Sequence, residues 1–418
     1  GENSGNFGLL ITGGGSTVKG LVINRFQNFG VILSGNSGNT LSCNYIGTNV
    51  AGDAALGNNG FGVYLANSAN NLIGGATAGE RNLISGNAGN GVEIEFALST
   101  NNRVQGNFIG TNATGTAALG NGSGIGVAES AANNLIGGTA AGEGNLVSGN
   151  HFVGVGLVSG SGNSVQGNRI GTDATGTLDL GNGDRGVFIV SSTNNLIGGT
   201  TAGARNLISG NDSEGVRLEG SGASDNHVEG NYIGLNLSGT AAIANSGLAV
   251  WLTSAPNNTI GGTTAGARNV ISGNSQSGIV IEGLAATGNQ VQGNYIGTNA
   301  AGTAALGNQG QGVVVINSSN NVIGGAGAGN VIAGNARGVY LGGTANNNQL
   351  KGNFIGTNAA GLAALPNGSG VLLEFGATGN QIGGTAAGEG NVISGNQAYG
   401  ISFGASPNNS IQGNLIGT

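Results

Sequence analysis

Short aliphatic runs alternate with small or polar residues at period two along this chain, and Gly or Asn bounds each run. Val270-Ile271, Ile279-Val280-Ile281 and Val291 are examples, within segments four to six residues long. Such alternation predicts half-buried strands. Strands open on Gly-Val/Ile-x-aliphatic at Gly8, Gly30, Gly62, Gly91, Gly154, Gly186, Gly215, Gly278, Gly312, Gly338, Gly370 and Gly400, with degenerate copies near Gly124 and Gly247. No segment keeps a helical period, and Gly at this density would weaken any helix.

The strands recur inside a longer repeat. Gly-Asn-x-Ile-Gly-Thr places its second glycine at Gly47, Gly110, Gly171, Gly234, Gly297, Gly356 and Gly417, with a Cys for the first Gly in the opening copy and Leu235 for the Thr of the fourth. Ile-Gly-Gly starts at Ile73, Ile136, Ile197, Ile260, Ile323 and Ile382. Both tags return after roughly 62 residues, which identifies a solenoid. Most strand openings fall near half that spacing, so each repeat holds two coils. Short strands pairing with counterparts one coil away give an all-β, single-stranded parallel β-helix, right-handed by the crossover rule. Val92, Ile94, Val216, Leu218, Ile279, Ile281, Val313 and Val315 are expected to stack inward as aliphatic columns. The Asn of Gly-Asn suits the bends, because it tolerates left-handed backbone and its amide can bond the Asn of the next coil. Asn87, Asn150, Asn211, Asn274, Asn335 and Asn396 are the expected corner residues, and Asn294 shares the pattern.

Residues 1–42 read as irregular first coils and 43–418 as regular repeats, together one continuous domain. Two loop types alternate, a longer one such as 111–119 and a shorter one such as 200–205. The chain has 418 residues, 91 of them Gly, and only 7% are charged. Ordinary domains carry about 25%, so this surface is made of Asn, Ser, Thr and Gly. Eleven basic residues, thinly spread in a chain of net charge −7, cannot track a phosphate backbone. Nucleic acid is therefore excluded as a partner, and no apolar run is long enough for membrane insertion as a helix. The missing initiator Met and secretory signal point to a mature form or an excised segment. Cys43 stands where the other Gly-Asn tags have Gly, and a small buried thiol is expected there.

Phrases such as Ile-Gly-Gly-Thr-Thr-Ala-Gly-Ala-Arg-Asn (260–269) and Gly-Asn-Tyr-Ile-Gly-Thr (293–298) resemble those of secreted bacterial proteins with right-handed parallel β-helix repeats, in the broad pectate-lyase-like architecture. The resemblance covers almost the whole chain. It implies an extracellular or cell-surface location, and a fold that serves lyases, hydrolases, epimerases, adhesins and stalks alike. An enzyme of this kind would resemble pectate lyases or polygalacturonases, with clustered acids on one outer sheet and Arg or Lys nearby.

Candidate chemistry is sparse on that criterion. Glu93, Glu95, Glu219, Glu282 and Glu374 are outward strand carboxylates. The equivalent slots Glu95, Glu219 and Glu282 lie about 9.6 Å or more apart, wide for a carboxylate pair, so solvated face residues are expected. Asp173, Asp179 and Asp184, with Arg185, are the densest acidic patch; calcium is the metal such oxygens could serve, but the spacing fits no Asp-x-Asp-x-Asp-Gly loop, and no cofactor is expected. His151 and His227 lie in different repeats. Tyr45, Phe108, Tyr232, Tyr295 and Phe354 follow Asn in the tag and form a candidate surface contact ladder for sugar rings or a neighbouring copy, unless the adjacent loop (Ala304-Ala305-Leu306 in one repeat) folds back over them. An active site needs a coil that departs from the pattern. With none evident, the expectation is a structural or adhesive extracellular protein, a stalk, surface array or filament subunit, without enzymatic or polysaccharide lyase activity. The alternative is a carbohydrate-active enzyme, lyase, hydrolase or epimerase. Uncapped, tag-like ends further predict head-to-tail self-association or continuation of a longer array, with extracellular polysaccharide as a second candidate partner.

Overall fold

The computed structural model describes residues 6–35 and 37–417. Two compact units appear, the first Gly1–Gly198 with Ala202–Ser213 and the second Gly199–Thr201 with Glu214–Thr418. Each is a right-handed parallel β-helix. Among the described residues each has seven coils, and each coil has three short strands. In one coil these are Val92–Glu95, Arg103–Gln105 and Phe108–Ile109. Every strand pairs in parallel with the same strand of adjacent coils: Val92 with Val63 on one side and Ile125 on the other. The result is three parallel sheets per unit, called first, second and third in chain order. Among the described residues no helix is long and apolar enough to cross a membrane.

Alternation does what the pattern requires. Val92 and Ile94 are fully buried, as are Val104 in the second strand and Ile109 in the third. Each such side chain contributes about 1.5–3 kcal/mol through removal from water. The strand marks read from sequence all fall on the first sheet. The copy near Gly247 opens two residues later, at Val250–Thr253, with Ala249 in the glycine slot.

Asparagine ladders hold all three corners. In the first unit the side-chain amides run Asn58 to Asn87, Asn121, Asn150, Asn182 and Asn211, each Nδ2 donating to the next Oδ1 at 2.8–3.0 Å. The second unit repeats this through Asn245, Asn274, Asn308, Asn335, Asn367 and Asn396. A second ladder includes Asn39, Asn71, Asn102 and Asn134, and a third Asn44, Asn82, Asn107 and Asn145. The buried Asn274 amide also donates to the carbonyls of Ile233 and Ser272, both at 3.2 Å. Asn274→Ala takes a donor from both carbonyls and the side-chain acceptor from the Asn245 amide, so a loss of about 1–3 kcal/mol is expected by denaturant titration. An unchanged midpoint for Asn274→Ala and Asn211→Ala alike would remove the ladders as a source of stability.

Cys43 corrects its expectation. It is exposed, with φ 58°, matching the φ of 66° at Gly106 in the equivalent slot. The next residue takes the inward direction: Asn44 is buried and its amide bonds the Val18 carbonyl and Asn82. The residue before it is turned outward in the left-handed region.

Candidate active site

In the first unit the outer face of the first sheet carries one column of register-matched residues: Tyr64, Glu93, Gly126, Gly156 and Phe188. Two successive glycines remove the side chains that would otherwise cover the strands Ile125–Ala128 and Val155–Val158. The gap they leave is a cleft of about 160 Å³, with Glu93 and Asn90 on one wall, Phe188 on the other, and Val153 and Val158 along its floor and rim. Glu93 and Phe188 stand three strand spacings apart, roughly 14 Å. A Cβ at Gly126 would run into the Glu93 carboxylate, so that glycine is what lets the side chain lie down over the next strand. Gly156 is different. A Cβ there meets nothing nearer than the Ile125 carbonyl at 4.0 Å.

Lying down buries Glu93, which is only 4% exposed. Burial pushes its carboxyl up to about 8, opposed by the Asn90 amide that donates to Oε2 and reinforced by the neighbouring Glu95. Glu93 and Glu95 sit two residues apart on one strand, on the same face and in hydrogen-bonding reach. Tyr64 donates its hydroxyl to Glu95 Oε2 at 2.6 Å. Its ring is held by Phe29 at 5.2 Å and Phe61 at 5.5 Å. Burial, and then that hydrogen bond, drive the Tyr64 phenol well above its usual range, so Tyr64 is a fixed donor. The site is thus a carboxyl pair on a rigid strand, one member kept protonated near neutrality by desolvation.

The other sequence candidates are placed elsewhere. Asp173, Asp179 and Asp184 do not converge. Asp173 caps its own loop, accepting from the Thr177 and Leu178 amides at 2.9 and 3.0 Å. Asp184 pairs with Arg185 at 2.8 Å. Asp179 shares a loop cleft with Asp212 and the exposed His151, and burial, then Asp212, raise its carboxyl against a Gly181 amide bond. Among the described residues no group of three or more His, Cys, Asp or Glu could hold a metal. His227 is exposed on the second sheet of the second unit. On the first sheet of that unit Arg217 stacks 4.1 Å over Trp251 and pairs with Glu219 at 3.0 Å, while Trp251 Nε1 donates to Glu282 at 3.2 Å. Tyr45, Phe108, Tyr232, Tyr295 and Phe354 are half-buried on the third sheets. Each ring lies against the glycine of the loop that follows, Gly52, Gly115, Gly239, Gly302 and Gly361. Arg81 covers Phe108 at 3.9 Å and Arg268 covers Tyr295 at 4.1 Å.

Glu93 was expected to be a solvated face residue and is not. The solvated-face expectation rests on the slot that Glu95, Glu219 and Glu282 share in different coils, whereas the carboxyls that meet are Glu93 and Glu95 of one strand. A signal was present: Ile-Gly-Val-Ala and Val-Gly-Leu-Val put glycine in the same outward slot of consecutive coils.

No protein-family model and no curated protein matches the chain. Among solved structures it is similar to the A-module of the mannuronan C-5 epimerase AlgE6 of Azotobacter vinelandii, at 14% identity over 99% of this chain and 91% of that one, TM-score 0.46. It is similar to the Dettilon tailspike protein at 20% identity, over 96% of this chain and 62% of that one, TM-score 0.44. To the periplasmic alginate epimerase AlgG, in a double-mutant form, the values are 13%, 94%, 73% and 0.44. These are likenesses of fold. The structural or adhesive role expected from the sequence nonetheless does not stand. The premise of that role fails within the chain itself, because the coils at Gly126 and Gly156 do break the pattern.

Proposed function

We propose that this chain is a carbohydrate-active enzyme that cleaves a polysaccharide by hydrolysis on the outer face of the first sheet. The observation that carries the reading is the glycine-floored cleft walled by the buried, protonated Glu93. A general acid must hold a proton at working pH and sit where the leaving oxygen can reach it. Glu93 meets the first condition through burial and the second through its place on the cleft wall. Glu95, anchored by Tyr64, is the second carboxyl. Two carboxyls in hydrogen-bonding reach are nearer to the close-set pair of retaining glycosidases, about 5–5.5 Å apart, than to the 6.5–9.5 Å of inverting ones, and a bound sugar has to part them. Glu93 is then the acid and Glu95 the carboxylate facing the anomeric carbon. A cleft this small holds part of a ligand, well below the 300–1,000 Å³ of a complete small-molecule site. The exposed strand face beyond it suits a polymer that continues across neighbouring coils. A periplasmic or extracellular location goes with such a substrate.

Incubation with a panel of soluble polysaccharides should release reducing ends, and proton NMR of the first product should show retained anomeric configuration. Inversion would remove Glu95 from its role. Absence of release from every polymer would remove the enzymatic reading.

A further inference from the structure

We infer that the polysaccharide taken by the Gly126–Gly156 cleft is uncharged, a neutral hexosan or pentosan and not a polyuronate. This rests on the hydrolytic reading above and names the substrate class of the same site. The cleft is lined by Asn90, Ser123, Gly126, Gly156, Phe188 and aliphatic side chains, with Glu93 as its one ionisable member. Glu95 stands at the edge. Every titratable group at the site is therefore acidic or phenolic.

A uronate unit brings a carboxylate with it. Binding one requires a cation or several aimed donors, because desolvating an unpaired charge is costly. The register of the first sheet puts a single basic side chain on this face of the unit among the described residues. It is Arg185, two residues before the strand Val187–Val190. That guanidinium is engaged, 2.8 Å from Asp184 and stacked 4.7 Å over Phe188. A uronate in the cleft would face Glu95 across a few ångströms, where like charges repel, and the one cation nearby is already paired with Asp184.

Neutral sugars fit the same surface. Hydroxyls can bond the Asn90 amide, the Ser123 hydroxyl and the carboxyl pair, while Phe188, Val153 and Val158 offer apolar area to C–H faces.

The experiment compares neutral glucans, mannans and xylans with polygalacturonate and alginate, at low and high salt, with calcium and with chelator. Wild-type turnover of a neutral polymer at least about 100-fold faster in kcat/KM than of either uronate is the expected result. Val158→Lys, which sets a cation on the rim, should narrow that gap by raising uronate turnover. Uronate turnover equal to or above neutral turnover, in any salt or calcium condition, overturns the inference; its loss in Glu93→Gln would then leave the hydrolytic site standing. No turnover of either class by wild-type protein overturns the hydrolytic reading, and the inference with it.

Discussion

Glu93→Gln is expected to abolish turnover and, at the same time, to make the protein more stable above pH 8. The first effect is loss of the general acid, worth about 10²–10⁴ in kcat. The second follows from proton linkage. Burial raises the Glu93 carboxyl from 4.5 to about 8 in the folded protein. Between those values the folded state holds a proton that the unfolded chain has released, so folding is favoured by low pH and loses ground as pH rises. The loss is complete above about pH 8 and is on the order of 5 kcal/mol, at about 1.4 kcal/mol per unit. Glutamine is neutral at every pH and keeps the shape, so the variant escapes that loss. Denaturant midpoints of the two proteins should converge near pH 4.5 and separate at pH 8.5. Wild-type activity should fall through the same region, where Glu93 gives up its proton. Midpoints that track each other across the range would show that Glu93 is not held protonated by the fold.

Gly156→Val is expected to remove substrate binding while leaving the fold intact or slightly firmer. The valine Cβ has open space, and φ at this position is in the ordinary strand region, since Gly156 is not among the positive-φ glycines. A β-branched residue suits a strand, and replacing glycine lowers the entropy of the unfolded chain, by about 0.4–1 kcal/mol. Its methyls would stand between Glu93 and Phe188, where the substrate has to lie. Affinity electrophoresis in a polysaccharide gel should show lost retardation, with an unchanged or higher melting temperature. Retained binding and turnover would move the substrate off this cleft. Gly126→Ala is the contrasting case, because its Cβ collides with the ends of Glu93 and Asn90 and so disturbs the acid itself.

These two glycines also separate what a sequence can disclose from what it cannot. Strand placement, the inward columns and the corner asparagines were legible because each depends on residues within one coil and recurs at a fixed period. Val92, Ile94 and Asn87 sit where periodicity puts them. Cys43 departs from its expectation for a local reason as well: the hydrophobicity of a thiol points to the interior, but its slot has a left-handed φ that turns it outward. The aromatic rings after Gly-Asn were legible as a recurring feature, but the arginines that cover two of them come from separate loops.

By itself, then, the sequence determined a parallel β-helix with two coils per repeat, three-strand coils excepted, and placed Asn at its bends. Local backbone preference and side-chain period are short-range properties, and repetition makes them visible. Only the tertiary structure decided that Glu93 is buried and protonated. Its environment is made by Gly126 and Asn90, by Glu95 beside it, and by the register that sets these strands side by side. Desolvation is a property of the space around a carboxyl, and the atoms that fill or vacate that space here come from the next coil, 33 residues further along the chain.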